Sequence, residues 1–260
     1  PDIDVISEIA PLPGFSTESL ADAKEQLRTI RNDAESFFRH EFMPDEFNDW
    51  IKSRSLLPSV AFGISTLGLQ KIAALNQTPL HKLLGLGLAE SLDVNAVIGI
   101  CDQESFISRA ESLVTSGFKV IKCKVSDTPG HLPDTLKKLS DRYPELSFRL
   151  DANQSWAEHT LHEHSSTFKG LPIEYVEEPS HVSSIDQLNR VITTCRLPVG
   201  TDESLAKFGI NSLLDGVDTA PYLIVKPMLQ GNLIELFATI RRHIHLENRV
   251  IFTTALESGV

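Results

Sequence analysis

The sequence predicts an α/β fold: a parallel sheet flanked by helices, with a smaller N-terminal domain in front of it. Three observations predict it. From about Val94, short apolar strands alternate with amphipathic helical segments. Those strands end in charged residues at a nearly constant period. Before Val94 the chain instead carries helical periodicity broken by proline-rich turns.

In chain order, Ala10-Pro11-Leu12-Pro13-Gly14-Phe15-Ser16 cannot be helical, because each proline biases its predecessor towards extended conformations. A helix is predicted from Thr17 to Phe38, with Glu18 in its first turn and Leu20, Ala23, Leu27, Ile30 and Ala34 at helical spacing. A second follows Pro58-Ser59 and runs to Leu75. Its small residues Ala61, Gly63, Ser65 and Gly68 imply close packing, since a helical glycine costs roughly 1 kcal/mol relative to alanine. The run Leu84-Gly85-Leu86-Gly87 lacks the last glycine of a nucleotide loop, a position held by Glu90.

Strands are predicted at Ala96–Cys101, Phe118–Val125, Ser147–Asp151, Ile173–Glu177, Leu197–Asp202, Tyr222–Lys226 and Val250–Thr254. Helices are predicted between them near 103–115, 131–142, 156–168, 184–194, 205–214 and 230–245. Strict alternation implies a barrel or a doubly wound sheet. The domain boundary is placed at 92/93, dividing the chain into 1–92 and 93–260.

The second strand, Phe118–Val125, is apolar except for lysines, and Lys122 and Lys124 project from one face of it. Two ammonium groups on a buried face need compensation. A solvated edge strand would supply it with water. Alternatively, burial and the neighbouring cation lower a lysine pKa and leave an amine that can act as a base.

The charged strand ends favour the second reading. Lys124, Asp151, Glu177, Asp202 and Lys226 follow one another at 27, 26, 25 and 24 positions, about one βα unit each. In a βα barrel, that puts them on the rim where active sites are built. Three convergent carboxylates, Asp151, Glu177 and Asp202, would repel one another without a cation. An all-oxygen donor set favours Mg²⁺ or Mn²⁺ over Zn²⁺. Glu178 and Glu203 follow two of these residues and are expected to face away or to support a ligand from behind. Lysines flanking such a metal suit proton abstraction beside a carboxylate, giving an enediolate.

Composition narrows the partners. The formal net charge is -11 and no basic cluster occurs, which excludes a nucleic-acid surface. No apolar run is long enough to span a bilayer, so no membrane partner is expected. Cys101, Cys123 and Cys195 are odd in number and form no CxxC, which fits reduced thiols and a cytoplasmic location. His159, His162 and His164 are read as a solvated helix face and Trp156 as the start of an outer helix. The pattern assigns no oligomeric state.

These residues resemble a known family. The Lys122/Lys124 pair, the Asp151, Glu177 and Asp202 carboxylates and Lys226 look like the enolase superfamily, muconate-lactonizing subgroup. The words APLPGFS from Ala10, PSVAFG from Pro58, RLDAN from Arg149, EEP from Glu177, DESL from Asp202 and Lys226-Pro227 resemble its o-succinylbenzoate synthase branch.

The resemblance implies an enolase-type (β/α)7β barrel with an α+β capping domain. It implies Lys124 as base and Lys122 as its partner. Lys226 would stabilise the enediolate from the opposite face. Asp151, Glu177 and Asp202 would bind Mg²⁺, with Mn²⁺ as the substitute. The substrate would be a small-molecule carboxylate, contacted by Phe15, Ser16, Arg149, Asn153, Thr254 and Ser258. The implied reaction is a syn dehydration in menaquinone biosynthesis. N-acylamino acid racemisation or dipeptide epimerisation would use the same lysines, and a non-catalytic binding remnant of the fold is the reading from another class. Members of the family carry more sequence at both ends, including one further βα unit, so the natural protein is expected to extend beyond these residues.

Overall fold

A computed structural model describes residues 4–87, 91–243 and 249–256. The chain divides into two compact units, residues 1–90 with 225–260, and residues 91–224. The first break falls next to the 92/93 position, while 225–260 groups with the N-terminal residues.

The first unit opens with four helices: α1 Leu20–Phe38, α2 Pro44–Lys52, α3 Pro58–Leu75 and α4 Leu80–Leu83. Helix α1 starts later than Thr17 because Ser19 and Asp22 close a capping box. The Ser19 hydroxyl accepts the Asp22 N–H at 3.2 Å, and the Asp22 carboxylate accepts the Ser19 N–H at 2.9 Å. Glu18 is therefore not in the first turn. It is buried, and its Oε1 accepts the Ser59 N–H at 2.7 Å. Helix α2 was not expected; Pro44 at its first position, Asp45 and Glu46 in its first turn and Lys52 in its last are ordinary helix-end chemistry. The small residues of α3 do have a packing reason. A Cβ on Gly68 would run into the Phe47 ring. Phe42, Phe47 and Trp50 form the buried aromatic core with Phe37 and Phe38 against it, Phe42 and Phe47 having ring centroids 4.9 Å apart.

The second unit alternates strand and helix: β1 Asn95–Ile98, α5 Gln103–Thr115, β2 Val120–Lys124, α6 Leu132–Arg142, β3 Ser147–Asp151, α7 Leu161–Ser166, β4 Ile173–Glu177, α8 Ile185–Thr194, β5 Val199–Thr201, α9 Glu203–Phe208, α10 Ile210–Gly216 and β6 Tyr222–Val225. Neighbouring strands pair in parallel in sequence order. Ile121, Cys123, Phe148, Leu150 and Val176 of β2 to β4 are buried on the face opposite Lys122, Lys124, Asp151 and Glu177.

Two boundaries differ from the sequence reading for one reason. Asp202 and Lys226 are not strand residues; each is the N-cap of the helix that follows. Similarly, the single helix expected at 205–214 is two helices, because Gly209 at φ +75° separates α9 from α10.

The chain re-enters the first unit with α11 Pro227–Gln230, α12 Leu233–Arg242 and β7 Val250–Phe252. There the Thr253 N–H donates to the carbonyl of Val225, the last residue of β6, at 2.9 Å. Among the described residues β1 has only β2 beside it, so the strands make an open, half-barrel parallel sheet, consistent with the barrel-like α/β architecture that the resemblance implies with its last βα unit absent. The described N-terminal residues form helices α1 to α4. No helix among the described residues is long and apolar enough to cross a membrane.

Candidate active site

Lys124, Asp151 and Glu177 are the last residues of β2, β3 and β4, and they stand in register: Lys124 pairs with Asp151, and Asp151 with Glu177. Alternation along β2 puts Lys122 on the same face. The four side chains meet. The Lys122 ammonium lies 2.8 Å from Asp151 Oδ2 and 2.8 Å from both Glu177 oxygens. The Lys124 ammonium lies 2.7 Å from the same Asp151 oxygen and 2.6 Å from Asn153 Oδ1.

Burial decides how these charges behave. The Asp151 and Glu177 side chains are 2% and 3% exposed, Lys122 18% and Lys124 36%. A carboxylate buried alone would cost several kcal/mol, so two ammoniums against two carboxylates is the arrangement that can stay ionised. Burial alone would lower the Lys122 pKa, but Glu177 and Asp151 outweigh it and hold the ammonium above the ordinary lysine value. That reverses, for Lys122, the lowering expected from a buried lysine pair. Burial pushes Asp151 up as well, but Lys122 and Lys124 overcome it and keep the carboxylate below its usual range. For Glu177 burial wins. With the Asp151 and Asp202 charges adding to it and Lys122 opposing, the carboxyl is pushed up to about 7.

The ladder steps at β5. Glu177 pairs with Gly200, so Asp202 lies two residues beyond that pairing, just past the end of β5. A staggered register is what tilted strands of a curling sheet require. Gly200 has a second duty: a Cβ there would stand 2.9 Å from the Tyr175 ring. Asp202 is buried, and its N–H donates to Glu178 Oε1 at 2.9 Å. Glu178 is buried too, and burial, with Glu203 adding to it, lifts its carboxyl to about 8 against the hydrogen bonds from Ser204 and Asp202.

Could these residues hold a divalent cation? Asp151 and Glu177 fit one. They are adjacent, oxygen-only and buried, and they draw in the Lys122 ammonium. Asp202 does not complete the set in this conformation. Among the described residues no three His, Cys, Asp or Glu side chains stand together to hold a metal ion. The Lys122 ammonium, not a third carboxylate, joins Asp151 to Glu177.

The other expected contacts divide. Asn153 adopts φ +45°, which asparagine tolerates, donates its N–H to Asp151 Oδ1 at 3.2 Å, and holds Lys124. Arg149 is engaged elsewhere: Glu174 Oε2 at 2.7 Å and Asn95 Oδ1 at 2.8 Å take its guanidinium. The register shift between Phe148 and Arg149 leaves Glu174 unpaired on β4, from where it reaches Arg149.

In the first unit the Lys226 ammonium lies 4.8 Å from the Phe15 ring centroid. Ser16 closes its own turn; its hydroxyl accepts the Leu12 N–H at 2.9 Å and its N–H donates to the Leu12 carbonyl at 2.8 Å, with Gly14 at φ +83° making the bend. Thr254 is exposed and accepts the Leu256 N–H at 2.7 Å. Ser258 lies outside the described residues. His159 and His162 are exposed, whereas His164 packs edge-on against Trp156. Trp156 precedes α7 and does not begin it; its indole N–H donates to the Ser126 carbonyl at 2.9 Å. The sequence reading missed Gly200 as the step in the ladder and the helix-capping role of Glu178. The word GTDES at Gly200–Ser204 carries the first, since only a residue without a side chain fits against Tyr175.

Known proteins resemble the chain in sequence and fold. Residues 105–210 match the family described as "Enolase C-terminal domain-like", and residues 3–70 match "MenC, N-terminal domain". An o-succinylbenzoate synthase of Photorhabdus laumondii is 29% identical over 262 residues, covering 97% of this chain and 70% of the relative. An L-Ala-D/L-Glu epimerase of Clostridium acetobutylicum is 31% identical over 132 residues, covering 49% of this chain and only 36% of the relative. Across three epimerase relatives the match spans 36% to 51% of their length. Among solved structures, the o-succinylbenzoate synthase of Thermosynechococcus elongatus BP-1, complexed with Mg in its active site, superposes with a TM-score of 0.69 at 23% identity over 96% of this chain and 72% of that one. With both models and the synthase relatives, matched over 97% of this chain and 70% of their own length, in agreement, the chain belongs to the enolase superfamily and carries a MenC-type N-terminal domain.

Proposed function

We propose that the chain performs the o-succinylbenzoate synthase reaction, the dehydration of 2-succinyl-6-hydroxy-2,4-cyclohexadiene-1-carboxylate to o-succinylbenzoate. The observation that carries it is the cluster of Lys122, Lys124, Asp151 and Glu177 in a chain similar to such synthases over 97% of its length. In this reading residues 1–92 are a capping domain and 93–260 belong to a (β/α)7β barrel domain.

Asp151, Glu177 and Asp202 would hold Mg²⁺, which when bound supplies Lewis-acid neutralisation of a substrate carboxylate. Lys124 is the base. It is the more exposed of the two lysines and is oriented by Asp151 and Asn153. Its neutral amine takes the proton α to the carboxylate. Lys122 stays an ammonium, locked between Asp151 and Glu177, and opposes the charge that grows on the carboxylate. Lys124 then returns the proton to the departing hydroxyl, so that the substrate loses one α-hydrogen and one hydroxyl as water and the ring becomes aromatic. The family resemblance gives Lys226 the role of a cation that stabilises the enediolate, and within its own unit Lys226 makes a cation–π contact with Phe15.

A second reading, epimerisation of dipeptides or N-acylamino acids, is favoured by the 31% identity to the Clostridium epimerase over 132 residues. Incubation with the cyclohexadiene substrate and Mg²⁺ separates the two. The aromatic absorbance of o-succinylbenzoate should appear. No aromatic product, together with α-proton exchange of dipeptides or N-succinylamino acids in D₂O, would transfer the assignment to the epimerase.

A further inference from the structure

Besides Asp151, the Lys124 ammonium meets the side-chain amide of Asn153, whose Oδ1 lies 2.6 Å away. Asn153 is not part of a strand. It and Gln154 are the central residues of a turn closed by the Ser155 N–H on the Ala152 carbonyl at 2.9 Å. Both have positive φ, +45° and +63°. That is the pattern of a type I′ turn, whose second central position favours glycine. Gln154 stands there instead, so the turn is strained, and such strain persists only where the surroundings hold it.

Trp156 is placed to hold it. It is 1% exposed and stacks on Phe168 with ring centroids 6.3 Å apart. Its backbone N–H donates to the Pro179 carbonyl at 2.9 Å, beside the 2.6 Å bond from the Gln154 N–H to the Glu178 carbonyl. Its indole N–H reaches the β2–α6 loop and donates to the Ser126 carbonyl at 2.9 Å. Ser126 lies two residues beyond Lys124. One side chain thus ties the turn that carries Asn153 to the end of the strand that carries Lys124. A charged Lys124 is held by the Asp151 carboxylate as well. A neutral amine loses the charge-assisted part of that bond and keeps the Asn153 oxygen as an acceptor.

We propose that Trp156 is a positioning residue for Lys124: its indole N–H locks the Asn153-Gln154 turn to the end of β2 and so keeps Asn153 Oδ1 on the Lys124 amine. The inference rests on the base role proposed for Lys124.

Steady-state turnover of the cyclohexadiene substrate by the full chain tests this, with Mg²⁺ calorimetry and circular dichroism on each variant. Trp156→Phe keeps an aromatic ring against Phe168 and removes the N–H. Its kcat should fall about 10- to 100-fold, the scale of a small misplacement of a reacting group, while KM and Mg²⁺ affinity stay near wild type. Adding Gln154→Gly relieves the positive φ and should restore part of the lost kcat, because the turn then needs less of a lock. In the Asn153→Ala background, Trp156→Phe should add no further loss, because its effect passes through Asn153. Unchanged kcat in Trp156→Phe, a loss that falls on KM or Mg²⁺ affinity instead, no rescue by Gln154→Gly, or an undiminished effect in the Asn153→Ala background would each overturn the proposal. If Trp156→Phe does not fold, Asn153→Ala decides: a lowered kcat at near wild-type Mg²⁺ affinity supports the proposal, and wild-type kcat overturns it. If the wild-type protein forms no aromatic product, the synthase reading fails. The same variants are then compared by α-proton exchange of dipeptides, where Lys124 would again be the base and the same outcomes decide.

Discussion

Two buried glutamates serve two helix N-termini in this chain, and they differ in what stands at the cap. In the first unit Glu18 accepts the N–H of Ser59, the second residue of α3; in the second unit Glu178 accepts the N–H of Ser204, the second residue of α9. Both bonds are 2.7 Å. Helix α3 needs outside help, because its N-cap is Leu57, which has no acceptor. Helix α9 has Asp202 at its N-cap and receives outside help all the same. Their surroundings also pull in opposite directions. Burial would raise Glu18, but the bonds from Ser59 and Thr17 outweigh it and hold the carboxyl below its usual value, whereas burial and Glu203 lift Glu178 to about 8. Helix chemistry explains Glu18 completely. It explains Glu178 only once the acidic cluster beside it is counted.

The acidic neighbourhood depends on Lys122, so removing that ammonium should break the contrast most. Lys122→Met leaves Asp151 and Glu177 buried without their shared cation. The metal-free protein should lose about 3–5 kcal/mol of unfolding free energy in urea. A loss below about 1 kcal/mol, the scale of an exposed pair, would mean that the cluster is solvated like a surface.

Gly200→Ala tests the step between Glu177 and Asp202. The added Cβ would stand 2.9 Å from the Tyr175 ring and 3.5 Å from the Glu177 Cα. Thermal or urea unfolding should show a loss of about 1–3 kcal/mol. An unchanged midpoint would mean that the ring moves aside freely and that the glycine does not set the register.

The smallest effect belongs to Glu18→Gln, which keeps an acceptor for Ser59 but removes the charge. The folded pKa of Glu18 lies below the ordinary 4.5, so its stabilisation is present above that pH and is lost as pH falls through the folded value. The variant should be less stable at neutral pH by under about 1 kcal/mol and should lose less on acidification. An acid limb identical to wild type would show that Glu18 is not ionised at the cap.

Much of the sheet was legible because apolar strands bounded by charges have sharp ends: Ser147–Asp151 and Ile173–Glu177 are strands to the residue. Asp202 and Lys226 were not placed correctly, because a charged residue after an apolar run looks the same whether it ends a strand or caps the next helix. Helix α2 was missed although its buried Phe47, Trp50 and Ile51 stand at helical spacing, because nine residues give that pattern only one repeat. The meeting of Lys122, Lys124, Asp151 and Glu177 followed from spacing. The direction of the Lys122 shift did not, since it depends on which oxygens face its ammonium. The contact of Phe15 with Lys226 joins opposite ends of the chain, and no local pattern encodes it.

Lys124→Ala puts the central claim to the most direct test. Turnover of the cyclohexadiene substrate and Mg²⁺ affinity are measured on the same preparation. Turnover should fall by at least the roughly 10²–10⁴-fold that a positioned base supplies, while Mg²⁺ binding persists. Turnover within about tenfold of wild type, below that range, would contradict Lys124 as the base.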